Sequence, residues 1–214
     1  MKKILILALG VASVSAMSQT FSGGAGFAIP DNNGTGAGST ISVGNIGYIT
    51  SLNSVSFTVT TAHTWVGDLI VQFKNLTTGT SVHLMSRLGS TTATGVGSAG
   101  VLQTGTFSFV DGGGAAQPLT GAMAAGTYNR KTHAFGAGAG NSGVGVPQFN
   151  ANTYAAFAGQ NLGGNYELRA WDNASGDIGT IGSWEFNVSS AVPEPATMAA
   201  LGLGVAALLR RRKK

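Results

Sequence analysis

The middle of the chain is dominated by stretches in which apolar and polar residues alternate. In residues 54–60 every odd position is apolar and every even position is Ser or Thr. A period of two places one set of side chains on one face of a β-strand. The same alternation recurs at residues 68–74, 81–84, 106–109, 166–171 and 184–188. The pattern predicts short strands that each bury one face, and no long amphipathic helix.

The segments between these runs are rich in turn-forming residues. Gly accounts for 34 of the 214 residues, and Gly, Asn and Asp tolerate the positive φ angles that tight turns need. Many short strands separated by such turns are typical of antiparallel sandwiches and jelly rolls. We therefore expect an all-β, jelly-roll-like antiparallel β-sandwich over residues 17–191, with no second domain. Residues 89–104 and 111–165 carry no strand prediction.

Composition excludes several classes of protein. Only 9% of the residues are charged, against about 25% in an average domain, so a charged coiled coil or a typical soluble helical enzyme is not expected. The chain has no Cys, which excludes disulfides, Cys-bound zinc and a thiol nucleophile. Between residues 17 and 192 there are five basic and seven acidic residues. No nucleic-acid partner is expected from that balance.

The N-terminus has the layout of a secretory signal peptide. Lys2 and Lys3 precede an apolar run at residues 4–14, which is followed by Ser15 and Ala16. A basic start, a short apolar run and a small-residue junction predict cleavage after Ala16. The alternative is an uncleaved anchor, although the run is shorter than the roughly 20 residues of a membrane span.

The C-terminus, residues 192–214, is a second targeting segment. Pro193, Glu194 and Pro195 precede an apolar run at residues 196–209, and five cations end the chain. A helix of this run would be about 21 Å long, short of the roughly 30 Å hydrocarbon core. The terminal cations should stay cytoplasmic, as should Lys2 and Lys3. The precursor is therefore expected to be a hairpin that contacts the membrane only through its terminal segments, with its body exported.

This tail resembles the PEP-CTERM sorting signal of Gram-negative bacteria, which combines a Pro-Glu-Pro motif, a short hydrophobic helix and a basic end. The resemblance implies processing by an exosortase-type membrane peptidase, at Pro193–Pro195 or near it, often in bacteria that make exopolysaccharide. It also implies an exported protein, at the cell surface or extracellular, that is transiently anchored in the inner membrane. The alternative is a plain C-terminal membrane anchor.

A second resemblance lies in the body. Residues 63–69 read His-Thr-Trp-Val-Gly-Asp-Leu and are similar to the signature of the proprotein convertase P domain, also called the P/Homo B domain. Residues 29–31 match the opening of that domain and residues 164–184 its close, so the similarity covers about 21–188. It departs at Tyr166, where the family usually has Trp, and residues 89–160 match only loosely. The family fold is a jelly-roll β-sandwich.

No catalytic residue is predicted. In convertases the P domain follows a subtilisin-like protease domain, and a protease needs a nucleophile beside a base. The three histidines are His63, His83 and His133. The resemblance implies a structural role for His63, while His83 lies on the polar phase of a predicted strand. We therefore expect that the chain is not an enzyme, although the occurrence of P domains in proteases could suggest serine-type endopeptidase activity.

Two functions remain open at this stage. The first is a non-catalytic binding or structural module at the cell surface or in the extracellular matrix, with exopolysaccharide or a protein as partner. The second is an accessory P domain acting in trans with a subtilisin-like serine protease. Such an interface needs an exposed apolar patch. Trp171, on the outward phase of its strand, is the candidate, and the alternative is that it packs under a loop.

A structural calcium ion is the expected cofactor. Calcium takes about 6–8 oxygen ligands, which irregular loops supply readily. Residues 172–177 offer Asp172, Asn173 and Asp177, although Ala174 breaks the EF-hand pattern. The P-domain resemblance also implies calcium, and the alternative is that these side chains only form turns. The candidate ligands are the aspartates in turn-like segments, with Asp111 less favoured than Asp172 and Asp177: Asp31, Asp68, Asp111, Asp172 and Asp177.

Overall fold

The computed structural model describes residues 16–90, 95–130 and 150–191, together with Gly202 and Gly204. The predicted signal peptide up to residue 15, the Pro193–Pro195 motif and His133 lie outside the described residues. The described part contains a 3-10 turn at Tyr154–Phe157 and these strands: β1 (Ala16–Ile29), β2 (Ala37–Val43), β3 (Tyr48–Thr61), β4 (Leu69–Asn75), β5 (Ser81–Ser86), β6 (Gly105–Val110), β7 (Gly126–Asn129), β8 (Gly164–Asp172) and β9 (Gly179–Ala191).

The strands form two sheets that pack face to face. One sheet has the order β1-β9-β3-β6-β7 and the other β2-β8-β4-β5. The named strands pair in antiparallel fashion apart from β6 and β7, which pair in parallel. The predicted all-β, jelly-roll-like sandwich is confirmed.

The core lies between the sheets and is built from the apolar sets that the alternation defines. Leu69, Val71 and Phe73 of β4 are fully buried in the main cluster. Ile70, between them in sequence, is buried on the other side of the sheet with Trp171. Phe73 contacts aromatic rings from the neighbouring strand and from the facing sheet, with ring centroids 5.8 Å from Tyr166 and 5.4 Å from Phe186.

Strand β5 departs from the prediction that one of its faces is polar and outward. All six of its residues are buried, and His83 is only 1% exposed. The reason is that segments from the loop-rich middle of the chain cover this edge strand. The Gln117 side-chain amide donates to the Leu84 carbonyl at 2.7 Å, and Arg130 donates to the His83 carbonyl at 3.3 Å.

The sandwich has two ends that matter for function. At the first, which we call the acidic end, β1, β3 and β8 finish and β4 and β9 begin, so that residues 30–36, 62–68 and 173–178 come together. At the second, the tether end, Ala16 and Tyr48 both pair with Ala191. The thirteen residues of β9 connect the two ends, which at about 3.3 Å per residue are about 40 Å apart.

Candidate metal centre

Three loop segments of the acidic end meet at a group of ionisable side chains. Asp68 immediately precedes β4, and Asp172 is the last residue of β8, directly beside it because Leu69 pairs with Asp172. His63 follows the end of β3. Gly179, the first residue of β9, leaves room for the imidazole, since a Cβ there would lie 2.9 Å from the His63 Cβ.

The donor atoms of His63, Asp68 and Asp172 are close enough to share one ion. All lie within 4.8 Å of one another, and all three residues are buried. The Nε2 atom of His63 is 3.3 Å from Oδ1 of Asp68. Oδ1 of Asp172 accepts a hydrogen bond from the Ala174 backbone N–H at 3.0 Å.

The remaining polar atoms of these residues are buried without a hydrogen-bond partner among the described residues. They are Oδ2 of Asp68, Oδ2 of Asp172 and Nδ1 of His63. A buried polar atom without a partner costs about 1–3 kcal/mol, and a charged one more. Two buried carboxylates that each carry this cost and offer donor atoms within 4.8 Å of one another are an arrangement that a bound cation would satisfy.

Burial and mutual repulsion both act on the protonation of the two carboxyl groups. Burial raises the pKa of Asp68, and the nearby charge of Asp177 adds to the effect, whereas the hydrogen bond from His63 opposes it. Burial likewise raises the pKa of Asp172 to about 6, with the Ala174 hydrogen bond opposing it and the charge of Asp68 adding to it. A cation at this site would favour the ionised forms of both groups.

Two further predicted ligands lie at the margin of the group. Asp177 is buried, and its Oδ1 accepts a hydrogen bond from the Thr64 hydroxyl. Oδ1 of Asp31 accepts from the Gly176 backbone N–H at 2.9 Å, which connects the end of β1 to the β8–β9 loop. A cavity of about 210 Å³ opens here and is lined by Trp65, Asp68, Val96, Ala174, Ser175 and Asp177.

Asp111, the fifth predicted ligand, does not join this group. It follows β6, and its Oδ1 accepts a hydrogen bond from Nε of Arg130 at 2.8 Å. Its Oδ2 accepts from the backbone N–H of Tyr154. The guanidinium of Arg130 also lies over the Tyr154 ring, 5.4 Å from the centroid. Asp111 therefore already has a basic partner and two donors.

Two residues at or beside the acidic end, His63 and Arg87, are not among the predicted ligands. The P-domain resemblance implies only a structural role for His63, although its position five residues before Asp68 on one loop is a usable signal. Arg87 is 1% exposed and donates from Nη1 to the Gly95 carbonyl at 2.7 Å. Burial lowers the pKa of Arg87 and the charge of Asp68 opposes that effect, so one buried cation already acts on this carboxylate.

Trp171 is not an exposed anchor. It is fully buried, packs with Ile70, and lies 6.0 Å beneath the guanidinium of Arg169. Gly36, in the loop before β2, lies against it, because a Cβ at that position would be 2.6 Å from the indole. The alternative that Trp171 packs under a loop is confirmed.

The donor set favours an oxygen-seeking cation. Two carboxylates and one imidazole form the group, and the carboxylates of Asp31 and Asp177 lie at its margin. Calcium takes carboxylate and carbonyl oxygens in flexible geometry, whereas imidazole suits zinc and the later transition metals. The carboxylates of Asp68 and Asp172 are of the ligand type that calcium takes.

The C-terminal residues 191–213 match the PEP-CTERM protein-sorting motif. This confirms the tail predicted from the sequence and indicates exosortase-dependent sorting of an exported protein, processed by an exosortase-type enzyme. No match to the P-domain family is found. Within the described part of the chain, no helix is long and apolar enough to cross a bilayer.

Two solved structures are similar to the chain. The complex of the Aeromonas sobria serine protease with its chaperone matches at 14% identity and a TM-score of 0.40. The serine protease of Aeromonas sobria matches at 13% identity and a TM-score of 0.38. Both matches cover 84% of this chain, but this chain spans only 27% and 28% of theirs. These scores are too low to transfer an activity. No curated protein matches.

Proposed function

We propose that the chain is an exported, non-catalytic β-sandwich module whose acidic end is closed by a structural calcium ion. The observation that carries the calcium proposal is the pair of buried carboxylate oxygens, Oδ2 of Asp68 and Oδ2 of Asp172, without hydrogen-bond partners among the described residues. They lie where three loops meet, so an ion bound there would cross-link those loops.

In this proposal Asp68 and Asp172 are the inner ligands, and Asp177 and Asp31 are candidates for the outer ones. Binding to the native state alone would raise the free energy of unfolding by about 2.7 kcal/mol at 100 times the dissociation constant. The test is thermal unfolding of the exported protein in EGTA and in millimolar calcium. A midpoint that does not change, with no calcium found by elemental analysis, would leave the aspartates as turn formers.

We propose the surface or the extracellular matrix as the place of action, with exopolysaccharide as the partner favoured over a protein. The support is the outer face of the five-stranded sheet, where hydroxyls and amides pair across neighbouring strands. Ser56 bonds to Ser108 at 3.0 Å, Thr58 to Thr106 at 2.9 Å, and Asn53 to Asn187 at 2.7 Å. Apart from the exposed Glu185, which pairs in register with Ser56, the donors and acceptors of this face are uncharged and complement sugar hydroxyls.

The alternative is an accessory P/Homo B domain that acts in trans with a subtilisin-like serine protease. Its support is the signature at residues 63–69, whose His63 and Asp68 both belong to the acidic end. The burial of Trp171 takes away the aromatic anchor that such an interface was expected to use. Affinity capture from the exported fraction distinguishes the two: polysaccharide as the main ligand supports the module, and a captured subtilase supports the alternative.

Processing gives a test that is independent of any ligand. With the proposed limits of 1–16, 17–191 and 192–214, the mature chain starts near Met17 and ends near Pro195. Loss of the ends removes seven of the twelve basic residues and at most one of the eight acidic ones. The mature product should therefore carry a net negative charge. Intact-mass measurement of the exported protein should find the two new termini, and a C-terminus at Lys214 would contradict the proposed cleavage.

The absence of catalysis is tested on the purified, exported protein. We expect no turnover of casein or of peptide substrates. Hydrolysis that persists through repurification and is lost on substitution of His63 or His83 would contradict a non-catalytic module. Hydrolysis that fractionates away from the protein would indicate a contaminant.

A further inference from the structure

The two ends of the described body leave the fold at one place. Ala16, where the predicted signal peptide ends, pairs with Ala191, the last described residue before the sorting tail. Tyr48, at the start of β3, pairs with the same Ala191 from the other side. The tether end therefore carries both connections to the hydrophobic segments, side by side in one sheet.

Large apolar side chains project from the tether end. Met17 is 56% exposed, Ile46 39%, Tyr48 57% and Leu76 42%. Leu76 belongs to this end because its backbone N–H donates to the Asn165 carbonyl at 2.8 Å, and the adjacent Asn75 side chain bonds to Gln160, whose carbonyl accepts from Ile49. All four residues therefore lie at the tether end.

The loops of this end carry no charge. Residues 43–48, 75–80 and 158–165 contain no Asp, Glu, Lys, Arg or His. Moving them into a less polar layer would therefore not strip water from a charged group, the step that makes membrane contact expensive. The opposite end contains four aspartates and is therefore less suited to an apolar surface, although it also exposes Ile178 and Val96.

The short link between the body and the apolar run of the tail identifies the membrane as the apolar surface within reach. Four residues, 192–195, separate Ala191 from the apolar run at 196–209. Fully extended, this link spans at most about 18 Å. While the run lies in the bilayer, the tether end therefore lies within about 18 Å of the hydrocarbon core. The headgroup layer occupies about 5–8 Å of this 18 Å.

We propose that the tether end docks onto the lipid surface during the membrane-anchored stage. Ile46, Tyr48 and Leu76, together with Met17, enter the interfacial layer, where tyrosine is enriched because its ring is apolar and its hydroxyl polar. The sandwich then stands with its acidic end about 40 Å from the membrane. The proposal rests on the proposed export and tail processing, which pass through a membrane-anchored precursor, and it does not depend on calcium.

The chain has no Cys, so single labels can be placed in the full 214-residue protein. Tyr48→Cys and Leu76→Cys report on the tether end, and Ile178→Cys, at a residue 67% exposed beside the acidic end, is the matched control. Each variant carries an environment-sensitive fluorophore and is reconstituted into phosphatidylcholine vesicles, with or without lipids that carry a quencher at headgroup depth. A soluble quencher is added in a parallel series.

We expect the lipid quencher to remove most of the fluorescence at positions 48 and 76 and to leave position 178 unchanged. Equal, weak lipid quenching at all three positions overturns the proposal. Protection of 48 and 76 from the soluble quencher without lipid quenching also overturns it and indicates a protein occupant, such as a second copy. Tail processing is measured separately by mass, so normal processing without lipid contact refutes the docking alone, and failed export refutes the proposed function.

Discussion

The acidic end and the tether end are formed by the same strands but have opposite chemistry. At the acidic end, loops that are far apart in sequence bury Asp68, Asp172 and His63 together. At the tether end, uncharged loops expose Tyr48 and Leu76 instead. The acidic end therefore holds carboxylate oxygens without hydrogen-bond partners among the described residues, and the tether end holds exposed apolar side chains on uncharged loops.

The two ends therefore need different partners, a cation at the acidic end and an apolar contact surface at the tether end. Buried carboxylates are tolerated when a cation or a dense set of donors balances them, and here part of that balance is missing among the described side chains. Exposed apolar side chains are tolerated in water singly, and a group of them marks a contact surface. Calcium should act on the first end and lipid on the second.

The largest expected effect is that of Asp172→Asn at the acidic end. In calcium at 100 times the dissociation constant, we expect the variant to lose about the 2.7 kcal/mol that binding contributes. In EGTA the same substitution removes a buried charge that has no cation, so its effect should be close to zero or stabilising. Chemical denaturation under the two conditions measures both values.

Asp111→Asn is the matched control for this prediction. Asp111 is ion-paired with Arg130 away from the acidic end, so its substitution should change the free energy of unfolding by the same amount with and without calcium. A calcium-dependent effect at Asp111, or a calcium-independent one at Asp172, would break the assignment of calcium to the acidic end.

A pair of glycine substitutions gives the next effect in size. A Cβ at Gly67, in the acidic-end loop, would lie 2.1 Å from the backbone nitrogen of Ser98, whereas one at Gly44, near the tether end, meets nothing within 4 Å. Gly67→Ala should therefore destabilise the fold by about 1–3 kcal/mol through overpacking. Gly44→Ala should lie within about 0.5 kcal/mol of the natural protein.

Thermal unfolding of the two glycine variants side by side checks this contrast. Because a clash with backbone cannot be relieved by a side-chain rotation, Gly67→Ala should also weaken calcium binding by displacing Asp68. Equal midpoints for the two variants would mean that the acidic-end loop adapts more freely than its packing indicates.

The smallest expected effect on stability belongs to Tyr48→Ser. The side chain is 57% exposed, and surface substitutions usually change the free energy of unfolding by less than about 0.5 kcal/mol. In vesicles, however, the variant should reduce lipid quenching of a fluorophore at position 76. A large loss of stability in solution would instead identify Tyr48 as a structural residue of the body.

The sequence was informative where local pattern decides the structure. Alternation identified β3, β4, β8 and β9 with the correct buried faces, because each strand has one face in the core. It did not identify β1, whose Gly23, Gly24 and Gly26 interrupt the pattern and whose partner is the distant β9. It also misjudged His83, because the segments that cover β5 come from elsewhere in the chain.

The sequence predicted which type of residue forms the candidate site, but not which of those residues lie together in it. Aspartates in turns pointed to calcium, yet only the fold brings Asp68 beside Asp172, which are more than a hundred positions apart in the sequence. The same fold pairs Asp111 with Arg130 and places Asp111 away from the acidic end. The alternation of β8 places Trp171 on the outward face of the strand, but it could not reveal that the loop containing Gly36 covers that face.

The most direct test of calcium at the acidic end is a calorimetric titration of calcium into the chelator-stripped, full-length protein. We expect saturable binding that disappears in Asp172→Asn and persists in Asp111→Asn. The unfolding midpoint should rise with calcium for the natural protein and the Asp111 variant but not for the Asp172 variant. Absence of binding heat at any temperature, together with a midpoint that calcium leaves unchanged, would contradict it.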